Sequence, residues 1–191
     1  MTIFDLILIA SFLATGAVLV SALVAAIRGR WSTFRKLLIG WGVFAAVYFG
    51  ALVAISLATP QRLMSVGENR CWDDWCIAVT KVQRATTTEG ALLTVTLRMS
   101  STAKRVTQRE NGLSVYLIDD RGRRYEPVPS DSAKPFGVPL GPGESAETER
   151  VFQVAADSHG IALAFKHAGP GKIIIGDDES FLHKPAIVRI E

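Results

Sequence analysis

Cys71 and Cys76 are the two cysteines of this 191-residue chain, and they close the run Cys71-Trp-Asp-Asp-Trp-Cys76. Such a pair has three uses: a disulfide, two free thiols, or a metal or redox site. Redox motifs favour two intervening residues, and zinc needs two ligands more than this pair supplies. Four intervening residues can form a small loop within bridging distance. A loop so short gives only a modest entropic gain, so a bridge here would serve to fix Trp72 and Trp75 in place. The disulfide is the favoured expectation if the pair lies in an oxidising compartment.

The other groups with chemical potential are scattered. His159, His167 and His183 fall in expected loops near strand ends, with no spacing that makes them converge on a metal. The run Gly169-Pro-Gly-Lys172 superficially matches a phosphate-binding loop, but it lacks the first glycine at the required spacing and the Ser/Thr after the lysine. Asp177-Asp-Glu179 is an acidic turn; calcium wants six to eight oxygens, more than this run supplies, so a calcium site is left open and a solvated turn is the plainer expectation. Lys104, Arg105 and Arg109, with Arg121, Arg123 and Arg124, make basic turns balanced by nearby acids. They are expected as a solvated rim rather than an anion or lipid-headgroup site. No Gly-x-Ser-x-Gly elbow occurs. No catalytic residue, metal ligand or cofactor is therefore expected, and no enzymatic activity.

What positions these groups begins at the N-terminus. Leu6–Ile27 and residues 37–58 are 22-residue apolar stretches with no Asp, Glu, Lys, Arg or His. At about 1.5 Å per residue each reaches about 33 Å as a helix, enough to cross a hydrocarbon core of about 30 Å. Between them, residues 28–36 carry Arg28, Arg30, Arg35 and Lys36 and no acid, while the first five residues have no Lys or Arg. Short basic loops stay in the cytoplasm. The expectation is a multi-pass inner (cytoplasmic) membrane protein with its N-terminus and C-terminal domain on the periplasmic or extracytoplasmic side. The alternative, a signal peptide followed by a buried helix, is disfavoured because the basic residues follow the first stretch. Trp31, Phe34 and Trp41 suit the cytoplasmic membrane boundary, and Trp72 and Trp75 are assigned to the membrane interface as well.

The net charge of +3 comes from that loop. Residues 60–191 hold 17 Lys/Arg and 17 Asp/Glu, so the basic pI is a topology signal and no nucleic-acid partner is expected. The positive mean hydropathy likewise belongs to the two apolar stretches. Within them, Gly42, Ala46, Gly50, Ala54 and Ala58 recur every fourth residue, as do Ala17, Ser21 and Ala25, and Ala10 and Ala14. Small residues at this spacing let another helix backbone approach closely. The stripe serves either the hairpin itself or an external membrane partner. With no ionisable residue in either stretch, an ion or proton pathway is not expected.

Beyond Cys76 the period changes to two. Leu93, Val95, Leu97 and Met99 alternate with polar residues; Leu113, Val115 and Leu117, and Ile161, Leu163 and Phe165, follow the same rule. Further strands are expected over 77–82, 124–128, 148–154, 172–175 and 186–190. Turn chemistry separates them: Asp119-Asp-Arg-Gly122, Leu140-Gly-Pro-Gly143 and residues 167–171. A proline-rich stretch over 127–139 is expected to cross between sheets. About eight short strands at this spacing suggest an immunoglobulin-like sandwich.

The run Leu93-Thr-Val-Thr-Leu-Arg-Met-Ser100, then Val115-Tyr-Leu-Ile-Asp-Asp-Arg-Gly-Arg-Arg-Tyr125, Leu140-Gly-Pro-Gly-Glu144 and Val151-Phe-Gln-Val154 resembles bacterial telokin-like, immunoglobulin-like domains. The resemblance covers residues 75–190 and departs at Gly141, at Ala155, where the family often has Pro, and in its two-helix anchor. It implies an extracytoplasmic β-sandwich and says little about activity. The expected organisation is thus a transmembrane α-hairpin over 1–59, a linker with the Cys/Trp loop over 60–75, and an all-β immunoglobulin-like sandwich over 76–191. The expected role is a non-catalytic accessory subunit that packs against a larger membrane complex (respiratory, photosynthetic or secretory) through the hairpin and outer domain. The alternative is a stand-alone envelope module that binds an extracytoplasmic protein or glycan.

Overall fold

The computed structural model describes residues 3–87, 90–168 and 170–190. Two helices come first, α1 (Ile3–Ile27) and α2 (Trp31–Ala58). Gly29, with φ +67°, makes the tight reversal between them. Both helices contain stretches long and apolar enough to cross a membrane. They pack along one seam. Leu8, Ser11, Thr15, Val18, Ala22 and Ala25 of α1 are shielded positions spaced alternately by three and four. On α2, Leu37, Ala45, Tyr48 and Leu52 are shielded along the same seam, with Trp41 between the first two reaching across to α1. Spacings of three and four are those of antiparallel helices packed along a common seam. The Trp41 indole N–H donates to Thr15 Oγ1 (3.3 Å) and sets the register.

That register has a physical consequence. Thr15 lies level with Trp41, so Leu6–Ile27 lies level with α2 residues 29–50. The two apolar stretches are displaced by eight residues, about 12 Å. Residues 51–58 therefore run on past Leu6, and 54–58 past the start of α1 at Ile3. In this overhang Ser56 is nonetheless buried (2% exposed).

Among the described residues nine strands follow: β1 (Leu63–Met64), β2 (Arg70–Trp72), β3 (Trp75–Thr87), β4 (Gly90–Ser101), β5 (Leu113–Ile118), β6 (Arg124–Tyr125), β7 (Ser145–Val154), β8 (Ala162–His167) and β9 (Ile187–Arg189). They form two sheets, β2-β3-β4-β7 and β1-β9-β8-β5-β6. The inner orders β3-β4-β7 and β9-β8-β5 are those of strands A-B-E and G-F-C in an immunoglobulin sandwich. β1 adds the one parallel pair among the described strands, Leu63 opposite Ile187. The core between the sheets takes every second residue: Leu93, Val95, Leu97 and Met99 from β4, Ile77 and Val79 from β3, Phe152 from β7, Leu117 from β5 and Leu163 from β8. The chain is thus an α-hairpin followed by an all-β, immunoglobulin-like sandwich.

Three expected boundaries differ. Residues 60–75, expected as a linker, contribute β1 and β2 to the sheets; strands of two and three residues are too short to show a period. Of residues 172–175, expected as a strand, the first two end a 3₁₀ turn (Pro170–Ile173) and the other two continue as a bend and a turn. Over 124–128 the strand stops at Tyr125, and Pro127 makes only an isolated bridge to Phe152, since proline cannot donate to a ladder.

The chain divides into two compact units. Residues 61–168 and 185–191 form the sandwich unit; residues 170–184 belong with the hairpin rather than with the sandwich.

Candidate functional site

β2 and β3 pair with Cys71 opposite Cys76 and Trp72 opposite Trp75, joined by the two-residue turn Asp73-Asp74. Asp73 has φ +52°, a region that Asp tolerates better than most residues. The paired positions bring the two Cα atoms to 3.9 Å, and the cysteines are joined as a disulfide. The pair is thus a pin across the base of a hairpin, and neither thiol is left to act as nucleophile or ligand.

What the pin holds is aromatic. Trp75 is 2% exposed and belongs to the sandwich core; Trp72 packs on the margin of that core. The assignment of Trp75 to the membrane interface is therefore corrected. Trp75 starts β3 at a core-facing position, and the bridge keeps Trp72 beside it. Around Trp72 lie Trp75 (6.2 Å between ring centroids), Phe165 (6.5 Å) and His167 (5.4 Å), with the Arg70 guanidinium 4.8 Å over its ring. His167, expected in a loop, is the last residue of β8; its Nε2 lies 2.8 Å from Glu110 Oε1, both residues being largely buried. The His167–Glu110 contact, with Trp72 stacked beside the imidazole, lies at one end of the sandwich. The signal for it in the sequence was absent, because Glu110 and His167 are brought together only by the pairing of β5 with β8.

A second polar cluster locks the turn from β5 to β6. The Asp119 carboxylate is fully shielded and accepts the backbone N–H groups of Arg121 (3.1 Å) and Arg123 (2.8 Å), Arg123 Nε (2.7 Å) and the Tyr125 hydroxyl (3.2 Å). Arg123 reaches on to Asp157 Oδ1 (2.9 Å) and Ser158 Oγ (3.2 Å), and Arg121 also pairs with Asp157. Burial alone would push the Asp119 carboxyl up. The hydrogen bonds and charge of Arg123, with the Tyr125 hydroxyl, outweigh it and hold the group below the ordinary carboxylate range. Arg123, and Arg121 beside it, hold Asp157 down as well. These basic residues are thus tied into a turn. Elsewhere, Lys104, Arg105 and Val106 line an open groove of about 420 Å³ with Asp74 and Thr102.

His159 is exposed in a turn, where its carbonyl accepts the Asp120 N–H (3.0 Å). In the acidic run, Asp177 Oδ1 accepts the Glu179 N–H (2.8 Å), which is turn chemistry. Among the described residues no three His, Cys, Asp or Glu side chains gather as metal ligands. Gly169 of the 169–172 run lies outside the described residues.

The hairpin resolves which face packs internally. Gly42, Ala46, Gly50, Ala54 and Ala58 are all exposed and lie off the seam. A Cβ built at Gly42 or Gly50 would meet nothing within 4 Å. On α1, Ala25 is in the seam, while Ala10, Ala14, Ala17 and Ser21 are exposed. Trp41, expected at the membrane boundary, is a seam residue bonded to the middle of α1. Trp31 is 60% exposed at the start of α2, edge-on to Phe34 at 5.7 Å.

No protein-family model matches the chain, so the telokin-like resemblance has no support at the level of family, and no curated protein matches it. Among solved structures, the chain is similar to the YjhA protein of Bacillus subtilis (15% identity, 66% of this chain and 98% of that one, TM-score 0.46). It is similar also to the secreted protein MPT63 of Mycobacterium tuberculosis (12% identity, 69% and 98%, TM-score 0.47). A third likeness is to an uncharacterised β-sandwich protein of Clostridium difficile (10% identity, 70% and 96%, TM-score 0.46).

Proposed function

We propose that this chain is a non-catalytic accessory subunit of a larger membrane assembly. Its hairpin spans the inner membrane with the basic loop in the cytoplasm, and its sandwich stands on the extracytoplasmic side. The supporting observation is the division of labour on α2. The hairpin packs through the Leu37-to-Leu52 seam, and the Gly42-to-Ala58 stripe lies exposed off it. Helix association in lipid depends on close backbone contact, and a stripe of Gly and Ala running most of the helix offers it. The partner is thus a transmembrane helix of another protein. Glycine also costs helix stability relative to alanine, so two glycines on a surface without a neighbour are hard to account for by lipid contact alone.

Co-purification in mild detergent tests this. Gly50→Leu fills the middle of the stripe without touching the seam. A stoichiometric partner retained by the native chain and lost by Gly50→Leu supports the subunit reading. A native chain that purifies alone overturns it in favour of the second reading, a stand-alone envelope module. The observation favouring that module is the open groove beside Lys104 and Arg105, whose polar and charged lining suits an extracytoplasmic ligand.

A further inference from the structure

Residues 170–184 lie between β8 and β9 but pack with the hairpin, not with the sandwich. The segment is a knot of turns that satisfies much of its own backbone. The N–H groups of Ile174, Ser180, Phe181 and His183 donate to the carbonyls of Gly171, Asp177, Lys172 and Ser180, at 2.9–3.0 Å. The Ser180 hydroxyl, buried, lies 2.6 Å from both the Ile174 and Asp177 carbonyls. A Cβ at Gly171 would stand 2.8 Å from the Asp177 carboxylate, so a side chain there would displace that group.

Three large apolar side chains are nevertheless turned outward. Ile173 is 48% exposed, Phe181 58% and Leu182 53%. The Phe181 N–H to Lys172 carbonyl bond puts these two stretches side by side, so the three form one patch. Leu182 holds φ +67°, a region uncommon for a bulky residue. Lys172 and Lys184 flank the patch.

The place where this knot meets α2 is specific. The Tyr48 hydroxyl donates to the Ile173 carbonyl (2.7 Å). By the Trp41–Thr15 register Tyr48 lies level with Leu8 of α1, two residues inside the outer end of the apolar stretch Leu6–Ile27 and about 28 Å from its loop end. A hydrocarbon core is about 30 Å thick. If the basic loop marks one membrane face, Tyr48 and the knot lie close to the other, the depth at which Tyr is favoured.

We propose that residues 170–184 form an interfacial membrane anchor, with Ile173, Phe181 and Leu182 seated at the boundary of headgroups and acyl chains of the outer leaflet. The occupant of the patch is lipid. The Tyr48–Ile173 bond holds the patch against the apolar hairpin, and the backbone bonds closed within the knot remove much of the penalty of leaving water. Lys172 and Lys184 carry the flanking charge that reaches back to the headgroups. The inference rests on the membrane-spanning reading of the hairpin, and its test separates the two.

Among the described residues no cysteine is free, so single introduced cysteines carry a nitroxide selectively. The full chain is reconstituted alone into vesicles of phosphatidylethanolamine and phosphatidylglycerol. Collision with oxygen, which concentrates in lipid, is compared with collision with a water-soluble nickel chelate. Labels at Phe181→Cys and Ile173→Cys are read against Val47→Cys on the exposed face of α2 and Ser132→Cys on a sandwich loop. The expected result is an oxygen-to-chelate ratio at residues 181 and 173 severalfold above that at 132 and approaching that at 47. A water-like ratio at 181 and 173 with a lipid-like ratio at 47 overturns the anchor and leaves the spanning hairpin intact. Labels at 181 and 173 shielded from both reagents mean that protein covers the patch, which also overturns it. A water-like ratio at 47 overturns the spanning hairpin itself.

Discussion

Removing the Cys71–Cys76 bridge is the most informative perturbation of the sandwich. The closed loop contains six residues, counting both cysteines. The chain-entropy relation gives about 2.2 kcal/mol at 25 °C for a loop of that length. Two features of the structure keep the effect near this figure. The cysteines already face each other in the β2–β3 ladder, so no backbone movement is needed to relax them. Trp75 is held in the core by neighbours in both sheets and does not depend on the bridge for its burial. The sandwich unit has about 115 residues, for which 1 kcal/mol corresponds to about 4 °C in melting temperature. Cys71→Ser with Cys76→Ser should thus lower the thermal midpoint by about 8 °C. Scanning fluorimetry of the purified chain would follow it through Trp72 and Trp75. Reductant should move the native protein by the same amount and leave the double variant unmoved. A shift below about 2 °C would mean that the hairpin is closed equally well in the unfolded chain. A shift above about 15 °C would mean that the bridge organises the Arg70–Trp72–His167 cluster, and the entropic account would fail.

Phe152→Ala empties a fully buried site between the sheets and should cost about 3–5 kcal/mol, read as a lowered denaturant midpoint with secondary structure retained. Asp119 and Asp157 are held below the ordinary carboxylate range, so their contribution is present above the unfolded value of about pH 4 and is lost as pH falls through the folded value. Thermal melts across the acid range should therefore fall steeply for the native chain, and Asp119→Asn should be less stable at neutral pH and flatter in acid. An unchanged acid slope would remove Asp119 from the account. For topology, a cysteine at Ser32 should resist an impermeant thiol reagent in intact cells while one at Ser132 reacts; labelling at Ser32 would invert the orientation.

The sequence made some elements plain and concealed others, for identifiable reasons. Uncharged stretches of 22 residues admit few structures other than long helices, and Leu93 to Met99 alternate so cleanly that β4 and its inward face follow from period alone. β1 and β2 were hidden because two or three residues carry no period; they exist through their partners β9 and β3. Residues 172–175 look like a strand because Ile is β-branched, yet Pro170, Gly171 and Gly176 favour turns and the backbone closes on itself. Trp75 was misplaced because an amphipathic ring near a membrane stretch suits the interface as well as the core, and only the β3–β4 register decides. In the hairpin, a four-residue repeat of small side chains was visible, but the seam follows a 3-4 alternation of mixed sizes. Spacing alone does not say which face meets α1. The Glu110–His167 pair was illegible for the same reason that any contact between distant strands is.

The parallel pairing of β1 with β9 sets an order on assembly. Leu63 and Met64 follow α2 almost directly, while their partners Ile187 and Val188 are more than 120 residues downstream. During synthesis β1 emerges early and cannot pair until the rest of the sandwich has been made. Until then the outward edge of β8 is also open, because β9 covers it. The nascent domain is therefore a tethered, incomplete sheet with an exposed edge, the configuration most prone to pairing with a neighbouring chain. Closing that edge requires a contact of very high sequence separation, which slows folding. Loss of residues 186–190 should accordingly do more harm than their small number suggests: it would leave β1 without its partner and the outer edge of β8 uncovered.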